Sequence, residues 1–426
     1  MTPMIGFAGL THLGLVSSIA IASKGFRVVG FDPDAERVAE IAQGKLPVVE
    51  PGLDQLARNF ADNLAFTAKA ADLGQCDIVY IATDVPTDDR GASDLAGITA
   101  LIDDVIPALA PRALLVVLCQ VPPGYTRRLK LSPERLYYQV ETLVFGRAVE
   151  RAARPERYIV GCADPEKPLP APYRALLDAF ACPVLPMRYE SAELAKISIN
   201  CCLVASVTVA NTLAELSERL GADWSEIVPA LRLDRRIGPY SYLAPGLGIA
   251  GGNLERDLAT VLRLSEAVGS EASVISAFVV NSRHRRDWAL RTLHREVLSH
   301  KHDAVIGVLG LAYKEDTHST KNSPALALIE CLHPWRVRVY DPVVPAVAAP
   351  HPSATGAASA LEAALGADVV AIMTPWPEFR KIDPAKLRSA MRGRTVLDPF
   401  RVVSPAAARA VGLEWFTLGA PAPARS

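Results

Sequence analysis

The chain is short of cysteine, with seven in 426 residues, at positions 76, 119, 162, 182, 201, 202 and 331, and no CxxC pair. That spacing excludes a zinc ribbon and a disulfide framework, predicts reduced and mostly buried thiols, and gives no reason to expect a metal. An excess of charge of one sign is also missing. Lys and Arg number 45 against 46 Asp and Glu, so no basic footprint points to nucleic acid or to an anionic membrane. No run approaches the ~18 consecutive apolar residues that span a bilayer, and the opening MTPMIGFAGL lacks the basic flank of a signal peptide. The expectation is a soluble, cytoplasmic protein with small-molecule partners.

What the chain does have is length and alternation. Its 426 residues exceed the ~100–150 of a typical domain, so two or three cores are expected. An apolar run at 4–10, a glycine-containing turn, a helical stretch at 15–24 and RVVGFD at 27–32 make a βαβ unit. DIVYIA at 77–82, a helix near 94–109, ALLVVL at 113–118 and RYIVG at 157–161 continue it. This predicts a doubly wound parallel sheet with helices on both faces. Ser191 to Leu220 contains no Pro or Gly and is apolar around much of its circumference, which predicts a long, largely buried helix. A second helical stretch is expected over 255–299. A new βαβ series opens with AVIGVLG at 304–310, runs through RVRVYDP at 336–342 and DVVAIMT at 368–374, and closes with TVLD at 395–398. The Ala/Pro-rich 344–364 reads as a surface connection. The fold expected is α/β: two Rossmann-like domains, 1–188 and 301–426, joined by a central helical region, 189–300.

In a dinucleotide-binding turn the first glycine permits the bend, the second admits the pyrophosphate, and the third lets helix and strand pack closely. Gly9 and Gly14 hold the first and third places around Thr11, His12 and Leu13. Thr11 occupies the second place, so its Cβ displaces the phosphate unless its hydroxyl donates to it. Asp32 ends the second strand, where a carboxylate accepts from the adenosine ribose diol and repels a 2′-phosphate. NAD is therefore expected over NADP, with Arg37 beside the acid.

A series of motifs then appears in order: AQGKLPVVEPGLDQL (42–56), VPTDDRGASDL (85–95), CQVPPGYT (119–126), AELAKISIN (192–200), RIGPYSYLAPGLGIAGGNLERD (236–257), GLAYKEDTHSTKNSPA (310–325), VYDP (339–342) and TPWPEF (374–379). Over nearly the whole chain this series resembles the UDP-glucose/GDP-mannose 6-dehydrogenase family. The resemblance implies an N-terminal NAD domain to which Thr87 and Gln120 contribute, and a C-terminal domain whose Lys314 and Thr317 hold a nucleotide diphosphate. It also implies a substrate loop containing Tyr242, Gly246 and Gly251, and a homodimer formed around the long helix, with Arg236 reaching the partner's site. The PG before the glycine-rich loop and the KLPVVEPGL stretch favour a GDP-sugar over a UDP-sugar.

The chain departs from the family pattern at several positions. Asn253 stands where the family carries a nucleophilic cysteine, Gln120 replaces a threonine, Thr11 a glycine, and Lys321 an arginine whose fork it lacks. Glu141 matches the first acid of the family's PEFLREG motif, while Phe145 stands at the second. The second oxidation in such enzymes uses a thiolate, which an asparagine amide cannot replace. Cys201 and Cys202 read as packing residues. The first hydride step needs only NAD, a proton acceptor and donors to the alkoxide. Lys196 and Asn200, one helical turn apart, supply these together with Glu141 and with Asp257, four residues after Asn253. The leading expectation is an NAD-dependent enzyme that takes a nucleotide-sugar hydroxyl at carbon 6 only to the carbonyl. The reaction is open to redox-neutral epimerisation or dehydration in the making of an unusual sugar, as for an antibiotic. A thiol-free uronic-acid-forming dehydrogenase and a non-catalytic nucleotide-sugar-binding subunit are the alternatives.

Overall fold

The computed structural model describes residues 2–86, 88 and 93–423, in two compact units, Met1–Ile199 and Asn200–Ser426. The first is built on eight strands: β1 (Ile5–Ala8), β2 (Val28–Phe31), β3 (Leu64–Thr67), β4 (Ile78–Ile81), β5 (Leu114–Val117), β6 (Leu136–Gln139), β7 (Tyr158–Cys162) and β8 (Val184–Arg188). They lie in the order β3-β2-β1-β4-β5-β6-β7-β8. The central strands read as unbroken apolar runs because both faces are covered, and Ile5, Phe7, Ile78, Leu115 and Val116 are fully buried. One pairing departs from the parallel expectation: β7 runs antiparallel to β6, with Tyr138 opposite Gly161. The 140–157 segment reverses at Gly146, whose φ of 85° is left-handed, and does not cross over the sheet.

The second unit carries a six-stranded parallel sheet of β9 (Val305–Leu309), β10 (Arg336–Tyr340), β11 (Thr355–Gly356), β12 (Val369–Ile372), β13 (Thr395–Leu397) and β14 (Glu414–Phe416), ordered β11-β10-β9-β12-β13-β14. It does not close at TVLD, because β14 adds an edge beyond β13. The 344–364 segment is more than a connection: it contains the strand Thr355–Gly356 and a helix, Ala360–Ala364, capped by Ser359. The helical stretch expected over 255–299 is broken. Asn253–Val268 ends at Gly269, whose φ of 71° gives a left-handed cap, and Ser273–Arg286 and Trp288–Leu293 follow.

The two sheets repeat one corner. Gly9 and Gly310 both follow the first strand of their sheet at φ 94°. A Cβ on either would collide with a threonine after the fourth strand in chain order, Thr83 at 2.9 Å or Thr374 at 2.4 Å. The acids that close the corners, Asp32 and Asp341, each accept the next backbone N–H, from Leu10 and Leu311. In the first unit a helix, His12–Ala22, follows at once. In the second a loop intervenes before Pro324–Glu330. Asp341 there also accepts from Ala312, Val343, Val344 and the Trp376 indole. Burial pushes its carboxyl up, but these backbone donors outweigh it and hold the pKa below the usual value.

The helix Tyr189–Leu220 belongs to both units. By length and mean hydropathy, 1.6, it is apolar enough to cross a membrane. Its polar residues are committed within the protein, however: Glu193 to the backbone of Gly124 and Thr126, Asn211 to that of Gly246, and Glu218 to Arg285.

Candidate active site

The cofactor turn is shaped by steric exclusion. A Cβ at Gly14 would lie 1.8 Å from the Gly9 carbonyl oxygen, so only glycine lets the helix start this close to β1. Thr11 precedes the helix without capping it. Its Oγ1 accepts the Asp84 N–H at 2.9 Å, which leaves the hydroxyl proton to donate. Asp32 is buried. Its Oδ2 takes the Leu10 N–H at 2.8 Å, and Arg37 Nη1 lies 3.0 Å from both its oxygens. His12 and Leu13 form the first turn of the helix, Leu13 buried and His12 facing Glu50. The turn leaves space only where glycines leave it and ends at an acid, and this fits a dinucleotide. Thr87 lies outside the described residues. Gln120 is half-buried just beyond β5.

In the same unit, Lys196 Nζ donates to the Glu141 carbonyl at 2.9 Å and lies 3.3 Å from Oε2 of its carboxylate. An ammonium and a carboxylate held together this way can exchange a proton with a substrate hydroxyl and stabilise an alkoxide. Phe145, four residues beyond Glu141, lies against the His12 ring, tilted by 31° with centroids 4.2 Å apart.

In the second unit, Asn200 Nδ2 donates to Asp257 Oδ2 at 2.5 Å, and Arg256 Nε lies 3.5 Å from Oδ1 of the same carboxylate. All three are buried. Asn253 opens the helix Asn253–Val268 with its side chain exposed. The loop before it is locked: Gly251 donates to the Lys321 carbonyl at 3.0 Å, Asn322 donates to the Gly251 carbonyl at 3.0 Å and to Glu255, and a Cβ on Gly251 would lie 3.0 Å from the Tyr313 ring. Gly246 donates to Asn211 at 2.8 Å. Lys314 Nζ sits 5.9 Å from the Tyr313 ring centroid, and Thr317 accepts from the Ser319 N–H. Tyr242 is exposed, and Arg236 reaches into solvent beside Asp234.

Two residues of this architecture escaped the sequence reading. Glu193 is fully buried and takes the N–H groups of Gly124 at 2.5 Å and Thr126 at 2.8 Å, fixing the loop that follows Gln120; burial raises its pKa in spite of those donors. Its signal was an acid one turn before Lys196 inside an apolar helix. Glu50 is the other. The Cys201 thiol is no substitute nucleophile, because burial, and then the Asp257 charge, push it up to about 11.

The UDP-glucose/GDP-mannose dehydrogenase family is matched in all three of its parts: the NAD binding domain over residues 4–177, the central domain over 190–283 and the UDP binding domain over 307–405. UDP-glucose 6-dehydrogenase of Pseudomonas aeruginosa is 29% identical over 97% of this chain and 96% of its own. UDP-glucose 6-dehydrogenase TuaD of Bacillus subtilis is 28% identical over 98% and 93%. The UDP-glucose dehydrogenase structure from Pyrobaculum islandicum superposes with a TM-score of 0.85 at 27% identity, covering 99% of this chain and 98% of that one. A GDP-mannose dehydrogenase structure from Pseudomonas aeruginosa, at 20% identity and a TM-score of 0.51, shares the fold. With NAD-binding, central and nucleotide-binding parts matched in sequence order, the chain belongs to the UDP-glucose/GDP-mannose dehydrogenase family, whose dehydrogenases use NAD.

Proposed function

We propose that this member oxidises a nucleotide-sugar hydroxyl at carbon 6 only to the carbonyl, which is either released as such or, after epimerisation or dehydration, reduced again by the same NADH. What supports this is Asn253, an amide where the sequence resemblance puts the family's thiol, together with the burial that raises the Cys201 pKa. NAD bound at the Gly9–Gly14 turn supplies the hydride acceptor. Glu141 and Lys196 take the hydroxyl proton and face the alkoxide, while Asp257, fixed by Asn200, orders water. Lys314, Thr317, Gly246, Gly251 and Tyr242 hold the nucleotide sugar, with Arg236 supplied by a second subunit. Exposed Arg236 favours that assignment, as do Val209, Leu213, Leu216 and Leu220, spaced along one face of the long helix and each at least 40% exposed. A homodimer paired through 189–300 covers them. The cytoplasm, where nucleotide sugars are made, is the fitting location.

The PG and KLPVVEPGL segments favour GDP-sugars, and the relatives' names point to UDP-sugars, so a panel of both is the test. Mass spectrometry after incubation with NAD should show loss of two hydrogens, loss of water, or an isomer of unchanged mass. Uronic acid with two NADH per sugar would overturn the proposal.

A further inference from the structure

The 42–56 motif has no role in the chemistry above, yet it carries one of the most enclosed carboxylates in the first unit. The Glu50 side chain is 1% exposed. Its Oε1 meets His12 Nε2 at 2.8 Å, both oxygens lie 3.0 Å from the Gly146 N–H, and Oε2 accepts the Ala148 N–H at 3.3 Å. Phe145 closes over the imidazole. Burying a carboxylate costs several kcal/mol unless hydrogen bonds take its lone pairs. Here the partners come from two places, the first residue of the cofactor helix and the loop 141–148. Each segment is therefore held by Glu50 only while the other is in place. His12 is in turn fixed at its own N–H, which donates to Asp84 Oδ2 at 3.0 Å, and Asp84 donates to Thr11.

We infer that Glu50 and His12 are positioning residues that tie the loop bearing Glu141 to the cofactor turn, so that seating the dinucleotide orders Glu141 beside Lys196. The value of that ordering for catalysis rests on the proposed role of Glu141; the coupling itself rests only on NAD binding. A dinucleotide at Gly9–Gly14 restrains Thr11 and His12, restraint of His12 restrains Glu50, and Glu50 restrains Gly146 and Ala148. Departure of the cofactor releases the loop by the same route.

Hydrogen exchange of the intact protein, read by mass spectrometry on a peptide covering 142–149, tests this without any sugar. NADH should slow exchange in this peptide of the native protein by roughly tenfold or more. Glu50→Gln keeps the shape but turns one acceptor into a donor. It should exchange rapidly with and without NADH while its NADH affinity, read by fluorescence, falls by no more than the roughly tenfold that the coupling is worth. Glu50→Asp, which draws both oxygens back from Gly146, gives the same readout should the glutamine variant fail to fold. Native protein whose 142–149 amides ignore NADH would overturn the inference. So would a Glu50→Gln protein that keeps NADH-linked protection, or one that loses NADH binding, since Glu50 would then support the turn itself. A failure of the sugar chemistry would leave all these outcomes unchanged.

Discussion

Lys196 is held by one carbonyl and one carboxylate of the same residue, so its removal takes away a charge and leaves Glu141 without its cation. Lys196→Ala should lower hydride transfer by about 3–4 kcal/mol of barrier, a ~10²–10³-fold loss in single-turnover NADH formation. On the proposed reading, in which Gln120 and Phe145 also depart from the acid-forming pattern, Asn253→Cys should form at most a trace of uronic acid, measured by mass spectrometry. At the other end of the first unit, Asp32→Ala should weaken NAD binding by ~1.5–3 kcal/mol in titration calorimetry, and an unchanged affinity would remove Asp32 from the site. Glu190 supplies a pH dependence. Its hydrogen bond to Arg127 holds its pKa down to about 2. A depressed acid stabilises the fold above its unfolded value near ~4.3, and that stability is lost as pH falls toward 2. Both side chains are more than a third exposed, so the contribution is at most ~1 kcal/mol. The urea midpoints of native protein and Glu190→Gln should differ at pH 7 and converge only near pH 2.

Among the elements, those buried on both faces were legible and those at edges were not. β1, β2, β4, β5, β9 and β12 read as apolar runs, and β10 as an alternation of valine with polar residues. β3 and β8 are only partly buried, so their sequences, LAFT and VLPMR, carry no continuous signal. β6 hides inside ERLYYQV because the run is short and tyrosine-rich. The break at Gly269 was readable in AVGSEAS, and helical periodicity on either side concealed it. Lys196 and Asn200 could be placed one turn apart on the long helix because four residues make one turn, but that spacing says nothing of their contacts, Lys196 with Glu141 and Asn200 with Asp257. Glu50 was not legible, because apart from His12 its partners are the backbone amides of Gly146 and Ala148, about a hundred residues away, and no side-chain pattern records those. Glycines separate in the same way. Gly14→Ala should abolish NAD binding, with the Cβ driven into the Gly9 carbonyl. Gly97→Ala, in the helix Ala96–Val105 with nothing within 4 Å of the added carbon, should raise stability by ~0.4–1 kcal/mol in denaturant titration.

At the scale of the molecule, the layout of α/β, helical and α/β segments was readable from composition and period alone, because each sheet is made of runs that must be buried. The homodimer expectation came from the family resemblance alone. The homodimer proposed above would cover the exposed apolar row of Val209, Leu213, Leu216 and Leu220 on the long helix. Unfolding temperature should therefore rise with protein concentration, and Leu216→Glu should remove that dependence and sediment as a monomer. The same row matters during synthesis. After Leu220 the ribosome still has residues 221–426 to add, which takes at least ~10 s even at ~20 residues per second. For that interval the helix is complete, apolar along one side and still without the rest of its own second unit, so neighbouring nascent chains on one messenger are the nearest surfaces able to cover it.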